Sequence, residues 1–551
     1  MAVPLGEVGH NEFLLKQVPV ALSPAMNTHK IPISHVDSDP VLADLGEPNV
    51  LVSEKDGTTA DVQDMQRMGK RQETRRNFRQ ITILGFCMVI LSTWEAILAT
   101  AVFALGNGGT AGLIWGYFIC MIGFGFVIAS LAEMASMAPT SGGQYHWVSE
   151  FAPPSCQRFF SYMVGWLGVL GWQTAAATVS YLTGKQIQAL IILWNPSYVP
   201  KPWQGTMLIW AVLAVCLTFN TFFSRHLPLV EGIIVILHVA GFFAVIIPLW
   251  VMGDRTNTGD VFSLFQDNMG WGSVPLSTMV GLTGAASCFV GSEAGAHMAE
   301  EVRNAAHVVP RAMMWTWVGN GLMGWIMAIT FCFCVGDTMS VLMTPLGSQQ
   351  VQVFLNTTGS AAGATGLTVI MLVIGVFACV AVMATNSRQL FAFARDNGVP
   401  FSGIFSKVSP RLGVPLNSVY VTILFVLLLS LINLGSSVAF MQVISLGVAA
   451  MLTSYLISIC CVALKRIRNQ PLLPSRFDLG KFGLAINIIA VLFLVFLLVF
   501  AFFPAAPHPA VADMNWASLG YGVVMIFSMF YYVVRGRYVY VGPVEYVRKS
   551  Q

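Results

Sequence analysis

Two short stretches decide the fold: ILSTWEA at residues 90–96 and VGSEAG at residues 290–295. Each places a carboxylate, Glu95 or Glu293, among small and hydroxyl residues near the middle of a long apolar run. A charge at mid-bilayer costs about 2.5–3.5 kcal/mol on insertion scales, so such residues normally face a cavity or a partner. Serine, threonine and glycine weaken regular helical bonding, which makes both stretches candidates for a helix break. The alternative is a structural carboxylate that bonds a neighbouring helix.

The composition around these stretches is that of a membrane protein. Of 551 residues, 56% are hydrophobic and 10% are charged, whereas soluble domains carry about 25% charged residues. Nine of the ten cysteines lie in apolar segments and only Cys156 lies in a connection. No metal or disulfide spacing is present, so the cysteines are interpreted as small hydrophobes. We predict no cofactor, metal or nucleic-acid partner. The predicted partner, besides substrate and protons, is the lipid bilayer.

Apolar runs long enough to cross a bilayer of about 30 Å recur from Ile81 onward. They predict an all-α membrane protein with twelve transmembrane helices, helix 1 to helix 12, at 81–106, 111–134, 158–184, 205–223, 228–252, 274–298, 311–336, 364–386, 416–434, 438–464, 482–503 and 515–536.

The distribution of basic residues supports this count. With the N-terminus in the cytosol, the outer loops hold only Lys185, Lys201 and Arg255, and the other basic residues near the helices fall inside. We therefore predict a disordered cytosolic tail at 1–80, a transporter domain at 81–536 and a cytosolic C-terminal tail at 537–551. The plasma membrane is favoured, and the vacuolar membrane is the alternative.

Helices 1 and 6 are the first members of two five-helix halves. Interrupted helices in matching positions of two halves indicate the midplane binding site of an inverted-repeat transporter. The remaining ionisable residues in helix interiors are His238 in helix 5 and His297 near the inner end of helix 6.

Four separated motifs resemble a known family. They are Ser92–Ala96, Leu131–Ser136 followed by Pro139–Tyr145, His297–Ala305 with Pro310, and Arg388–Pro400. Together they resemble the amino acid/polyamine/organocation (APC) superfamily, and most closely its fungal amino acid/choline permease branch, over roughly residues 75–540.

This resemblance implies a five-plus-five inverted repeat with broken helices 1 and 6 (the LeuT-like, or APC, fold), with helices 11 and 12 outside the core. It also implies secondary transport of amines, amino acids or choline, usually coupled to protons in fungi. Proton-coupled relatives often carry a basic residue in helix 5, a place that falls here on His238. An unperturbed histidine pKa near 6.5 suits proton exchange between an acidic and a neutral compartment.

The two carboxylates favour a cationic guest, and aromatic faces attract ammonium groups by about 0.5–2 kcal/mol each. We therefore predict an amine or choline-like cation held by Glu95, Glu293 and Trp94. The full predicted substrate site is Ser92, Thr93, Trp94, Glu95, Phe289, Gly291, Ser292 and Glu293.

Charged residues near the inner ends of helices 6 and 8 predict an inner gate. Glu300 and Glu301 would pair with Arg388 or Arg395. The alternative is a solvated loop whose charges only set topology. In the outer loop 337–363, Asn356 begins a glycosylation sequon.

The sequence fits two other classes of membrane protein, an enzyme and a channel, less well than a transporter. An enzyme would gather a nucleophile or metal cluster at one membrane face, for which His297 with Glu300 and Glu301 is the nearest approach. A channel would show a filter loop or charged rings, and neither is apparent. A binding site with carboxylates suits choline-like cations, γ-aminobutyrate-like zwitterions and basic amino acids alike. Export of an amine-containing metabolite such as an alkaloid is the alternative direction.

Overall fold

The computed structural model describes residues 57–511, 513–540 and 542–543, with the side chains of residues 437–441 excepted. These residues are almost entirely helical, because a helix satisfies every backbone polar group inside an apolar segment. The α-helices are α1 Thr59–Arg67, α2 Gln80–Leu91, α3 Thr93–Gly106, α4 Gly109–Met137, α5 Gln144–Phe151, α6 Gln157–Trp194, α7 Pro202–Thr221, α8 Leu227–Met252, α9 Thr258–Ser263, α10 Val274–Ser287, α11 Ala294–His297, α12 Ala305–Cys334, α13 Thr338–Leu342, α14 Gln349–Thr358, α15 Ala361–Arg395, α16 Ser402–Phe405, α17 Leu416–Ser430, α18 Ile432–Gly435, α19 Ser437–Ile467, α20 Gly483–Ala501, α21 Ala517–Tyr531 and α22 Arg537–Val539.

Short elements complete the described backbone. Single 3-10 turns occur at Ser224–His226, Ala299–Glu301 and Gly480–Phe482, and a π-helical turn occurs at Tyr532–Gly536. Two-residue strands β1 (Asn107–Gly108) and β2 (Gln266–Asp267) pair antiparallel.

Ten helices of the described chain are long and apolar enough to cross a membrane. They correspond to ten of the twelve predicted spans. Predicted helix 3 lies within α6, which is 38 residues long, and predicted helix 6 is divided into α10 and α11. Of the most apolar part of Gln80–Gly106, 72% is buried, against 11% for Ala517–Val539, so the first helix lies in the core and the last at the periphery.

The first predicted helix is interrupted at Ser92. This residue adopts a left-handed conformation with φ of 35° between the end of α2 and the start of α3. Its N–H donates to Met88 O at 2.9 Å, and its hydroxyl donates to Val89 O. The serine side chain thus hydrogen-bonds a carbonyl in the last turn of α2, as expected for a hydroxyl residue that competes with helical bonding.

The sixth predicted helix is interrupted between α10 and α11. Gly291 lies in this gap with φ of 94°, a conformation that glycine adopts without a steric penalty. Its N–H donates to the hydroxyl of Tyr455 at 2.9 Å instead of to a helical carbonyl. Both predicted breaks are therefore present, at the depth where the two carboxylates follow.

Residues 57–79 differ from the predicted disordered tail, because they are ordered against the segment that follows α11. Phe78 N–H donates to Glu301 O at 2.9 Å, and Arg303 N–H donates to Phe78 O at 3.0 Å. Asp61 accepts from the N–H groups of Asn304 and Ala305 at 2.8 and 3.0 Å, which caps the start of α12. The order comes from long-range partners, which local composition does not reveal. Residues 1–56 of the predicted tail lie outside the described residues.

The described part of the predicted C-terminal tail also packs against the bundle. The hydroxyl of Tyr540 lies 2.6 Å from Ser161 Oγ, and Arg158 Nε donates to Tyr540 O at 2.5 Å. Residues 541 and 544–551 lie outside the described residues. The transporter body therefore extends a few residues beyond the predicted boundary at 536.

Candidate functional site

Glu95 of the interrupted first helix contacts His238 of α8. Glu95 Oε1 lies 2.7 Å from His238 Nδ1, and both side chains are buried. The other ring nitrogen, Nε2, lies 3.1 Å from Asn320 Oδ1 of α12. Three elements thus meet at the first helix break, and the imidazole is held from both sides.

The partners of Asn320 determine where hydrogens lie in this contact. Its Nδ2 donates to Met88 O at 2.8 Å, so Oδ1 is the atom that faces His238. An amide oxygen only accepts, so His238 Nε2 carries a hydrogen. A proton must also lie between Nδ1 and Glu95 Oε1, because two lone pairs would otherwise face each other at 2.7 Å. Besides the hydrogen on Nε2, the pair therefore holds one proton between His238 Nδ1 and Glu95 Oε1. The pair has no net charge, whichever of these two atoms carries that proton.

Glu293, at the second break, has a different set of neighbours. The hydroxyl of Tyr455 donates to Glu293 Oε2 while it accepts from Gly291 N–H. Oε1 has no hydrogen-bond partner among the described residues and lies 4.0 Å from His297 Nε2. The carboxylate is fully buried.

His297 does not neutralise Glu293. Its Nε2 accepts from the indole N–H of Trp172 at 3.1 Å, so that nitrogen carries a lone pair. Its Nδ1 lies 2.9 Å from Ser141 O, a carbonyl that only accepts, so Nδ1 carries the hydrogen. The imidazole is therefore neutral. No Lys or Arg of the described residues pairs with Glu293, which leaves this carboxyl without a cation.

A cavity of about 110 Å³ lies beside the two breaks. Helix residues from α2, α3, α6, α10, α15 and α19 surround it, together with Val290 and Gly291 of the second break. Its wall is largely apolar, with the indole of Trp172 and the hydroxyls of Thr100, Thr178 and Ser287 as polar or aromatic features.

Of the predicted substrate residues, only Gly291 lines this cavity. Trp94 and Glu95 face α8, where the Trp94 indole N–H donates to His238 O at 3.3 Å. Ala96 and Thr100, one turn apart on a different face of α3, line the cavity in their place. Successive helical residues point about 100° apart, so a shift of one position changes the face.

The other predicted substrate residues also have protein partners. Thr93 donates from its hydroxyl to Asn320 O, and Phe289 packs against Tyr117 and Phe124 of α4 at centroid distances of 5.1 and 5.5 Å. Ser292 is buried, and its hydroxyl has no hydrogen-bond partner among the described residues. In this conformation seven of the eight predicted substrate residues do not line the cavity, and Gly291 is the exception.

The four residues of the predicted gate form two ion pairs, whose side chains are buried except that of Arg395, which is 13% exposed. Arg395 contacts Glu300 with both terminal nitrogens, at 2.8 and 2.7 Å. Arg388 Nε donates to Glu301 Oε1 at 2.8 Å. Both pairs join the segment after α11 to the last turns of α15, and we call these four residues the gate cluster. Arg303 lies outside it and bonds to Arg76 O.

Further donors surround Glu300. Thr140 Oγ1 and Ser141 N donate to its Oε1 at 3.1 and 3.2 Å. Burial opposes ionisation, but the Arg395 guanidinium outweighs it and lowers the pKa of Glu300 from 4.5 to about 2. The carboxylate is therefore ionised at every physiological pH.

Sequence reasoning missed Asn320 and Tyr455, which fix the hydrogens at the two breaks. Both are uncharged, and a search restricted to ionisable residues passes over them. Glu231, near the start of α8, was also missed because it lies close to a predicted helix end. A count of every polar group inside the apolar spans would have found all three.

Comparison with known proteins assigns the family. Residues 77–528 match the amino acid permease family. The chain belongs to the amino acid permease family. This permease is 29% identical over 517 residues to an uncharacterized amino-acid permease of Schizosaccharomyces pombe, a match that covers 92% of this chain and 93% of the relative. It is 28% identical to the choline transporter of Saccharomyces cerevisiae, over 84% and 82% of the two chains. It is 26% identical to amino-acid permease 2 of Neurospora crassa, over 91% and 92%.

The family match and the apolar helices together identify an integral membrane transporter rather than an enzyme. They also confirm the resemblance on which the sequence analysis drew. The two breaks, the cavity and the gate cluster are therefore the structural features from which a transport mechanism has to be built.

Proposed function

We propose that this permease is a proton-coupled secondary transporter of small amines, choline-like cations or amino acids, working by alternating access. It would have twelve transmembrane helices in two inverted five-helix repeats, with both termini in the cytosol of a plasma-membrane protein. The two interrupted helices, at matching positions in the two halves, support the repeat. The names of the choline transporter and of the amino-acid permeases among its relatives support the substrate class.

The observation that carries this proposal is the carboxyl of Glu293, which is buried beside the cavity without a cation. A buried carboxyl ionises favourably only beside a cationic partner, which a substrate ammonium group would supply. Glu293 is two residues from Gly291, which lines the cavity, and the indole of Trp172 forms part of the same wall. A tryptophan face attracts quaternary ammonium groups, so the cavity suits a cation with apolar substituents.

The Glu95–His238 pair would be the proton carrier. As long as the pair keeps its 2.7 Å contact and the bond to Asn320, it retains a proton. Release of the proton requires the two side chains to separate, which movement of α3 against α8 would bring about. Because the substrate moves past the same break, proton release and substrate release would be linked.

The gate cluster would close the cytosolic end. Breaking a buried ion pair by removing one partner costs about 3–5 kcal/mol. Opening would have to separate both ion pairs and rehydrate their charged groups. Closure at this end would keep the cavity isolated until the substrate and the proton have both bound.

Transport measurements in cells that lack their own amine permeases test this proposal. We expect saturable, pH-dependent uptake of labelled choline, γ-aminobutyrate or arginine, with efflux measured in parallel to establish direction. The neutral isostere of choline, 3,3-dimethylbutanol, should compete at least tenfold less well than choline if a carboxylate holds the ammonium group. Equal competition by the isostere would contradict the role of Glu293.

A variant of Glu293 sharpens this test. Glu293→Gln keeps an acceptor for Tyr455 and removes the charge, so KM for a cationic substrate should rise about tenfold, which corresponds to about 1.4 kcal/mol. Glu73→Gln, a carboxyl outside the bundle core, is the matched control and should leave KM unchanged. An unchanged KM in both variants would exclude Glu293 as the substrate's counter-ion.

A further inference from the structure

Glu231 is a second acidic group inside the bundle. It lies in the second turn of α8 and its side chain is completely buried. Neither carboxyl oxygen has a hydrogen-bond partner among the described residues. A bare ionised carboxylate in such a place is strongly unfavourable, so the group must carry a proton in this conformation.

Glu231 and His238 lie on the same face of α8. The buried residues of this helix form one stripe: Leu227, Glu231, Ile234, His238, Gly241, Phe242, Val245 and Leu249. Glu231 and His238 are seven positions apart, which is two helical turns and about 10 Å along the axis. This spacing is too long for direct transfer, so a proton would have to cross it through water that enters when α8 moves away from α2.

The position of Glu231 along α8 places it between His238 and the helix end. It is one turn from Leu227, where the helix begins, and the preceding turn carries the exposed side chains of Arg225 and His226. His238 lies two turns deeper, in contact with Glu95. A proton that leaves the Glu95–His238 pair toward the start of α8 would therefore meet Glu231 before it meets bulk water.

Other ionisable groups on neighbouring elements do not take this role. The elements packed against α8 carry Cys87 on α2, His307, Arg311, Cys332 and Cys334 on α12, Cys379, Arg388 and Arg395 on α15, and Arg225 and His226 on the preceding turn. None of them forms a hydrogen bond or ion pair with Glu231. The carboxyl of Glu231 is free to gain and lose a proton without breaking an ion pair.

We propose that Glu231 is a second protonation site, which passes protons between the Glu95–His238 pair and the water at the start of α8. The proposal rests on the proton-coupled function proposed above. In the described conformation Glu231 carries a proton. When α8 separates from α2, water reaches the carboxyl of Glu231, which releases that proton and then accepts the next one from the Glu95–His238 pair.

The close packing of α2 on α8 keeps water from Glu231 in this conformation. Gly85 of α2 lies against α8 beside Glu231, because an added Cβ at Gly85 would lie 3.4 Å from Glu231 O.

Three variants of the full-length protein in liposomes test the proposal, with labelled choline as the probe. Glu231→Gln has nearly the same shape and is permanently neutral, so it should preserve counterflow exchange within about twofold. It should lower uptake driven by a pH gradient at least tenfold. Glu231→Asp keeps a titratable group and should retain most of the gradient-driven uptake. Glu73→Gln should behave as the unmodified protein does.

Infrared difference spectra of the purified protein between acidic and alkaline pH give a readout that does not depend on transport. The carbonyl band of a protonated carboxyl should be present in the unmodified protein and in Glu73→Gln, and reduced in Glu231→Gln. Gradient-driven uptake by Glu231→Gln at the unmodified rate would overturn the proposal, and so would an identical carbonyl band. If the unmodified protein showed no gradient-driven uptake, the proton-coupled function would fail, and a Glu231-dependent band would still establish the protonation site.

Discussion

At the residue scale, the hydrogen-bond partners of His238 are the main support for the proposed mechanism. Its two ring nitrogens face Glu95 Oε1 at 2.7 Å and Asn320 Oδ1 at 3.1 Å. The amide of Asn320 is oriented in turn by Met88 O, at the end of α2. Proton occupancy of the pair is therefore tied to the geometry of the first helix break.

Removal of the imidazole should separate transport from proton coupling. In His238→Ala we expect uphill accumulation driven by a pH gradient to be abolished, while counterflow exchange persists, because Glu95 then has no basic group with which to share a proton. Uptake into vesicles with and without a gradient measures both activities. His226→Ala, an exposed histidine at the start of the same helix, is the control. Unchanged uphill uptake in His238→Ala would reject the assignment.

Among the secondary-structure elements, the two interrupted helices have different causes. Ser92 keeps its left-handed conformation because its hydroxyl satisfies Val89 O. Gly291 needs no side-chain hydrogen bond to hold its conformation, because a φ of 94° is allowed for glycine and strained for other residues. The second break therefore depends on the identity of one residue.

Gly291→Ala should disrupt the second break. A β-carbon would meet only ordinary contacts with Trp172 at 3.4 Å, so the penalty comes from the backbone, at about 1–2 kcal/mol. We expect transport to fall at least fivefold while expression and membrane insertion are retained. Gly366→Ala in α15 is the control, because its added carbon meets no atom within 4 Å and its helical backbone suits alanine. Equal activity of the two variants would show that the conformation of Gly291 is dispensable.

At the scale of the whole molecule, we expect the Glu95–His238 pair to respond to pH in the physiological range and the Glu300–Arg395 pair not to respond. The pKa of Glu300 is lowered from 4.5 to about 2, so the stability it contributes is complete above pH 4.5 and is lost as pH falls through about 2. The Glu300–Arg395 ion pair is thus constant over the physiological range. A pH dependence of transport between pH 5 and 8 would not come from Glu300, and we expect it from the Glu95–His238 pair.

This division can be measured from pH profiles of substrate exchange. Glu300→Gln should lower the maximum rate, because it leaves Arg395 buried without its carboxylate. Its profile between pH 5 and 8 should nevertheless have the same midpoint as that of the unmodified protein. His238→Ala should instead flatten the profile. A shifted midpoint in Glu300→Gln would mean that the gate cluster takes part in proton coupling.

The orientation of the molecule in the membrane is open to a separate test. Asn356 is exposed on α14, so its side chain is accessible for glycan attachment, and the proposed topology puts α14 outside the cell. We expect the expressed protein to lose apparent mass on treatment with an N-glycosidase, and Asn356→Gln to be insensitive. A glycan at Asn356 would fix this loop outside. Insensitivity of both forms would leave the sequon unused and remove it as support for the topology.

The sequence by itself determined the membrane class, ten of the predicted spans and both helix breaks, and it singled out the four charged residues that the structure pairs. These features follow from local hydropathy, local backbone preference and opposite charges at neighbouring helix ends, all of which are written in short stretches of residues. Only the tertiary structure decided that Glu95 faces His238 rather than the cavity, that Asn320 and Tyr455 fix the hydrogens, and that residues 57–79 are ordered. Helix rotation and long-range hydrogen bonds depend on residues far apart in the chain, and a change of one position along a helix turns a side chain by about 100°.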